Sequence, residues 1–190
     1  MRKKGGHFWL DAVACFLIPA YTLLFAGSRG WFGTNFSVIA VMGADHYRGF
    51  IYWGLLVGGY LAVMLVRLAG RLSCPPARPG VLVLTTLAVL NLGYALVIPY
   101  LPAYFPQYAA LHVLLAALAC VLLMTALLVV LLTLRRQDRD RWRGPLRLWL
   151  GIVAGSVLLF LIPQIVSTAL EVFFAISVTL LVRKVWLLME

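Results

Sequence analysis

YAALHVLLAALACVLLMTALLVVLLTLRR, residues 108–136, reads as one uninterrupted helix suited to hydrocarbon. Between Tyr108 and Leu134 the only acidic or basic side chain is His112, and Arg135-Arg136 close the run. At 1.5 Å per residue, about 20 such residues cross a hydrocarbon core ~30 Å thick. The stretch is longer than that minimum, so it decides the solvent in which the whole chain folds.

Five further apolar runs lie around it, giving spans at about 8–27, 49–69, 80–100, 108–134, 147–166 and 169–188. The chain of 190 residues is 64% apolar, with a mean hydropathy of +1.00, where soluble domains hold roughly 45–50% apolar residues. No connecting segment exceeds about 20 residues, which leaves no room for a separate soluble domain. The expected fold is an all-α integral membrane protein, a bundle of six transmembrane helices forming a single domain over 1–190.

Four of the breaks are plain in the sequence: S-R-G-W-F-G-T-N, G-R-L-S-C-P-P-A-R-P-G, P-Y-L-P-A-Y-F-P-Q and R-R-Q-D-R-D-R-W-R-G-P. The fifth admits two readings. Pro163 could end the fifth span, leaving only a short helix from Trp149, or it could bend that span ahead of a tight turn near Ser167-Thr168. The second is preferred, because Thr168-Ala-Leu-Glu171 matches a capping box with Thr168 as N-cap and Glu171 at N3.

The basic residues set the expected orientation. With the N-terminus inside and the spans alternating, the inner side collects Arg2, Lys3, Lys4, Arg67, Arg71, Arg78, Arg135, Arg136, Arg139, Arg141, Arg143, Arg147, Arg183 and Lys184. Only Arg29 and Arg48 remain outside. This asymmetry is the positive-inside rule, and it places both termini in the cytoplasm. The protein is then expected in the plasma (inner) membrane if it is bacterial. The net charge of +10 is thereby explained by loops that touch anionic headgroups, with no nucleic acid as partner. The amino-terminal run, with a basic start and small residues near Ala26 and Gly27, resembles a signal peptide, but its length and Asp11 favour an uncleaved first span. Cys15, Cys74 and Cys120 form no CxxC motif and imply no disulfide.

Packing seams are expected at Gly54-x-x-x-Gly58 and Gly151-x-x-x-Gly155, whose spacing lets helices approach closely. Aromatic belts are expected at Trp9, Trp142, Trp149 and Trp186 on one side, and at Trp31, Tyr100, Tyr104 and Tyr108 on the other.

Ionisable groups within spans are costly, so each is a candidate by default. Asp11 sits in the first turns of the first span and reads as structural. His112 lies near the outer end of the fourth span, where an imidazole reaches water and bonds a loop carbonyl. Glu171 lies in the outer half of the sixth span, close enough for a His112 contact only if helices tilt. Asn91 is mid-span in the third and is expected to bond across helices. Asp45 and His46 fall in the outer loop before the second span, in a segment too apolar at Phe36–Met42 for a free loop. That segment either lies along the interface as a short helix or folds back over the bundle mouth. The candidate ligand-binding set is therefore His112, Glu171, Asp45, His46 and Asn91, all but Asn91 on the outer half.

Six spans with both termini inside, N-F-S-V-I-A-V-M-G (35–43) as a Ser-x-x-x-Gly-like outer-loop element, His112 and Ala116 in L-H-V-L-L-A, and S-T-A-L-E-V (167–172) resemble the DRAM-like (Sfk/TMEM-type) membrane family and its bacterial relatives. The likeness covers the chain as an architecture and about 20 residues as motifs; Val172 stands where the family has an aromatic residue. It implies a non-enzymatic membrane protein whose outer-face His112 and Glu171 matter.

From these readings the leading expectation is a non-enzymatic polytopic protein that binds a lipid, an apolar ligand or a protein partner through its outer half. Its partners would be membrane lipids, with a protein partner or a second copy of the chain also open. One alternative is an intramembrane lipid hydrolase or transferase using His112 with Glu171 or Asp45. It lacks an H-E-x-x-H, G-x-S-x-G or paired-carboxylate signature. Another is a small proton-coupled transporter, without visible inverted repeats. No catalytic residue, metal or cofactor is assigned; a catalytic metal usually takes three protein ligands, and bis-His haem needs histidines on neighbouring spans.

Overall fold

The computed structural model describes residues 8–28 and 30–190. Arg2, Lys3, Lys4 and Arg29, which enter the charge count above, lie outside the described residues. The described chain is all helical: α1 Phe8–Ala26, α2 Phe36–Ala40, α3 Ala44–Gly70, α4 Ala77–Val97, α5 Pro106–Gln137, α6 Arg139–Leu161 and α7 Thr168–Met189. All but α2 are long and apolar enough to cross a membrane. The six expected spans are therefore present, and α2 lies within Phe36–Met42, the segment read as too apolar for a free loop.

The differences lie at the ends. α3 begins at Ala44, so Asp45 and His46 occupy its first turn, not a loop. The arginine-rich segment expected as a loop is helical from Arg139, because Asp138 caps it by accepting Arg141 N–H at 3.0 Å. That early start overturns the preferred reading of Pro163. The helix has 23 residues without reaching Pro163 and stops at Leu161. Gln164 then turns the chain with a left-handed φ of 54°. Hydropathy marks where lipid-facing side chains stop, and helical hydrogen bonding continues past that point.

One buried core runs along α1, α3, α5 and α7, centred on Met64, Leu65, Leu127, Val130, Val178 and Val182. The α3–α4 seam is as close as its glycines predict: a Cβ on Gly54 would lie 2.4 Å from Leu96 Cδ2, and one on Gly58 2.4 Å from Leu92 Cδ2. In α6 only Gly155 does this work, against Phe173 of α7, while a Cβ on Gly151 would meet nothing within 4 Å. Trp142 and Trp186 are buried and stand in no belt; the Arg71 guanidinium lies 3.8 Å from the Trp186 ring centre.

α1 is not a uniform α-helix. Val13–Leu17 form a π-turn, with Ile18 N–H bonding Val13 O. It ends two residues before Pro19, whose missing N–H interrupts the regular ladder. Asp11, just upstream, accepts Arg183 Nε–H of α7 at 2.5 Å. Downstream, Thr22 Oγ1 accepts the indole N–H of Trp53 of α3 at 3.0 Å. The structural reading of Asp11 holds, but Arg183 is buried, and its Nη1 and Nη2 make no hydrogen bond.

Candidate functional site

At one end of the bundle the connecting residues 30–43 fold inward, with α2 among them, and cap the helices there. Phe36 and Ile39, three residues apart on one face of α2, are fully buried. Phe36 meets Phe25 at 5.0 Å and Trp53 at 4.7 Å between ring centres, both edge to face. The apolar reading of this segment was therefore right in its second form: it folds over the bundle mouth.

An apolar segment buried in this way still has to place its backbone polar groups. Asn35 caps α2, its Oδ1 accepting Val38 N–H at 2.8 Å. The amino end of α7, with its first N–H groups unpaired by the helix itself, supplies the rest. Thr168 N–H donates to Thr34 O at 2.7 Å and Ala169 N–H to Trp31 O at 2.9 Å. Leu170 N–H is taken by Ser167 Oγ at 3.3 Å. In return Glu171 Oε2 accepts Phe36 N–H at 2.6 Å. This corrects the capping box: Ser167, not Thr168, is the N-cap, and the Glu171 carboxylate holds the cap instead of its own helix.

His112, six residues into α5, sits on the other side of the cap. Its Nε2 lies 2.6 Å from Ser37 Oγ and its Nδ1 2.9 Å from Ile98 O. Since a carbonyl can only accept, Nδ1 carries the proton; in the neutral ring Nε2 is then the acceptor and Ser37 Oγ–H the donor. The Tyr100 ring, 5.7 Å away, and Phe50, 6.4 Å away, wall the imidazole. The loop carbonyl expected for His112 is Ile98 O, but the ring is only 3% exposed and does not reach the surface. Tyr47 of α3 closes the same corner, donating to Leu96 O at 3.1 Å.

His112 and Glu171 thus make their hydrogen bonds to other groups and grip adjacent residues: His112 holds Ser37 and Glu171 holds Phe36 N–H. Asp45 and His46 are set apart from them. They line an open cleft of about 390 Å³ with Leu24, Phe25, Ser28 and Ile39, between the end of α1 and the start of α3. Ile39, on the opposite face of α2 from Ser37, is where the cap forms the cleft wall. Asp45 is largely exposed beside Arg48, at 3.6 Å. Asn91 joins neither group: its Nδ2 donates to Leu87 O one turn back at 2.7 Å, within α4. It does not bond across helices.

Ser37 escaped notice as a site residue, since a loop serine carries no chemical signal until its neighbour in space is known. Its only trace in the sequence was its place in the N-F-S-V-I-A-V-M-G element. Among the described residues no group of three or more His, Cys, Asp or Glu comes together as a metal site.

Fold and hydropathy define the class: an all-α, multi-pass membrane protein whose polar side chains at one end hold a folded-in cap. No family model, curated protein or solved structure matches the chain.

Proposed function

We propose that the protein binds a lipid of the outer leaflet in the cleft between α1, α2 and α3. The observation that carries this is the gradation of the cleft lining from apolar Leu24, Phe25 and Ile39 to polar Ser28, Asp45 and His46. A wall apolar at one side and polar at the other matches an amphiphile lying with its chains toward hydrocarbon. The positive-inside reading of the arginines and lysines supports the outer leaflet, since it would set the cap end outside. His112 and Glu171 serve this site indirectly, by fixing the cap whose Ile39 forms the wall. The DRAM-like resemblance supports the same emphasis, since its three segments contain Ser37, His112 and Glu171.

A photoactivatable phospholipid in nanodiscs tests the reading. Adducts are expected on residues 24–28, Ile39 and 45–49. Gly49→Leu should remove them by filling the cleft, where a Cβ added at this position would lie 3.2 Å from the Phe25 ring. Adducts spread evenly over all six spans, or unchanged in a folded Gly49→Leu protein, would remove the cleft from consideration.

A further inference from the structure

We propose that Ser37 and His112 form a nucleophile–base pair that attacks the acyl ester of a membrane lipid. Three features meet here. A hydroxyl lies 2.6 Å from an imidazole nitrogen. The ring's other nitrogen is held by a third group, Ile98 O, at 2.9 Å. That bond fixes the tautomer that leaves Nε2 free to take a proton. A nucleophile, a base within hydrogen-bond reach and an orienting partner are the arrangement that serine acyl transfer requires. The partner is not one of the carboxylates expected from the sequence: Glu171 is engaged by Phe36 N–H, and Asp45 faces the cleft on the far side of α2.

Depth points to the substrate. α5 has 32 residues, or ~48 Å of helix, so it overhangs a ~30 Å hydrocarbon core by ~9 Å at each end when centred. His112 is six residues, again ~9 Å, from the start of α5, which puts the pair at the edge of the core. The glycerol esters of a bilayer lipid lie at that edge. Walls of Phe50 and Tyr100 suit an acyl chain better than a soluble ester.

In the reaction Ser37 Oγ bonds to the ester carbonyl carbon while its proton passes to His112 Nε2. The tetrahedral intermediate collapses, breaking the bond to the lipid alcohol, which leaves with the proton from Nε2. The acyl-serine is then cleaved by water, giving a fatty acid, or by a second lipid hydroxyl, giving a new ester. Either acceptor passes its proton to Nε2 as it attacks, and Ser37 recovers its proton from there. Both residues are buried, so the ester must enter past the Phe50 and Tyr100 walls while Ser37 stays against His112.

An alkyl fluorophosphonate, applied to the full-length protein in nanodiscs with adducts located by mass spectrometry, tests the pair. A single adduct on Ser37 is expected, absent in Ser37→Ala. His112→Gln retains polar contact but is no base, and it should slow labelling by about 10²–10⁴-fold, the range of general-base catalysis. Glu171→Ala loosens the helix that carries Ser37 and should slow labelling. A companion phospholipid with a fluorogenic acyl chain should release that chain as acid or as a new ester, which distinguishes the two acceptors. No adduct on Ser37 in the wild type overturns the proposal. So does equal labelling of wild type and a folded His112→Gln, which would mean that the hydrogen bond is only a tether. Failure here leaves the lipid cleft standing, because the crosslinking experiment reads residues on the opposite face of α2.

Discussion

Glu171 Oε2 and Phe36 N, 135 residues apart in the chain, meet at 2.6 Å where α7 begins and the cap helix α2 starts. This bond joins the sixth span to the first connection, and the cap's position depends on it.

Removing the acceptor leaves a buried N–H without a partner, which costs ~1–3 kcal/mol. Glu171→Ala should therefore lower the thermal midpoint in detergent and expose the Trp31–Met42 segment to protease. Glu171→Gln keeps a carbonyl oxygen and should lose less than half as much. Equal loss in the two variants would show that the carboxylate charge, not its acceptor oxygen, matters.

Ser37→Ala deprives His112 Nε2 of its donor, a loss of ~1–3 kcal/mol by the same reasoning. Because Ser37 and Phe36 are neighbours on one short helix, Ser37→Ala and Glu171→Ala should not be additive. Once one anchor is lost the cap is already loose, so the double variant should fall short of the summed losses. Additive losses would argue that the two anchors hold independent pieces of structure.

Asp11 and Arg183 offer a sharper contrast. Asp11→Ala strands a buried guanidinium, and removing one partner of a fully buried pair costs ~3–5 kcal/mol. The Asp11 side chain is 43% exposed, which screens the pair, so about 2 kcal/mol is expected. Arg183→Met removes the stranded charge and should cost less than Asp11→Ala, with the double variant close to Arg183→Met. Unfolding midpoints in one detergent would rank the three proteins, and the reverse order would mean the pair is not what positions α1.

The glycines separate by neighbour. Gly54→Ala and Gly58→Ala drive a methyl to 2.4 Å from Leu96 and Leu92, and overpacking of that kind costs ~1–3 kcal/mol. Gly151→Ala meets nothing and should stabilise α6 by ~0.5–1 kcal/mol through backbone entropy. Thermal unfolding of the three single variants checks the sign at each site.

The six spans were legible because hydropathy responds to the solvent a side chain faces, and nearly every residue of α5 faces lipid or core. Helix ends were not, since Arg139–Pro145 and Ala44–Arg48 continue a hydrogen-bond ladder through polar side chains. Of the candidates, His112 and Glu171 proved to share a structure, the cap, that no count of depth along single helices reveals. Glu171 matched a local capping pattern, and a long-range partner displaced it. Arg183 was read as one of many topogenic cations near a span end, where long side chains usually extend to water. Only the packing of α7 against α1 shows it turned inward. Asn91 shows the opposite error, since its amide found an acceptor one turn away and needed no neighbouring helix.

The π-turn of α1 has a geometric consequence for the whole assembly. Asp11 and Thr22 are about three turns apart in a regular helix and would share a face. The wider turn between them acts as one inserted residue, rotating the downstream half by roughly 100°. Asp11 thereby addresses α7 while Thr22 addresses α3. The first span is in effect two half-helices on a common axis with different azimuths: a single-residue deletion within Val13–Leu17 would turn the π-turn into a regular one and leave Asp11 toward α7 and Thr22 toward α3, whereas straightening the turn at full length would bring the halves into phase and turn one of them away from its neighbour.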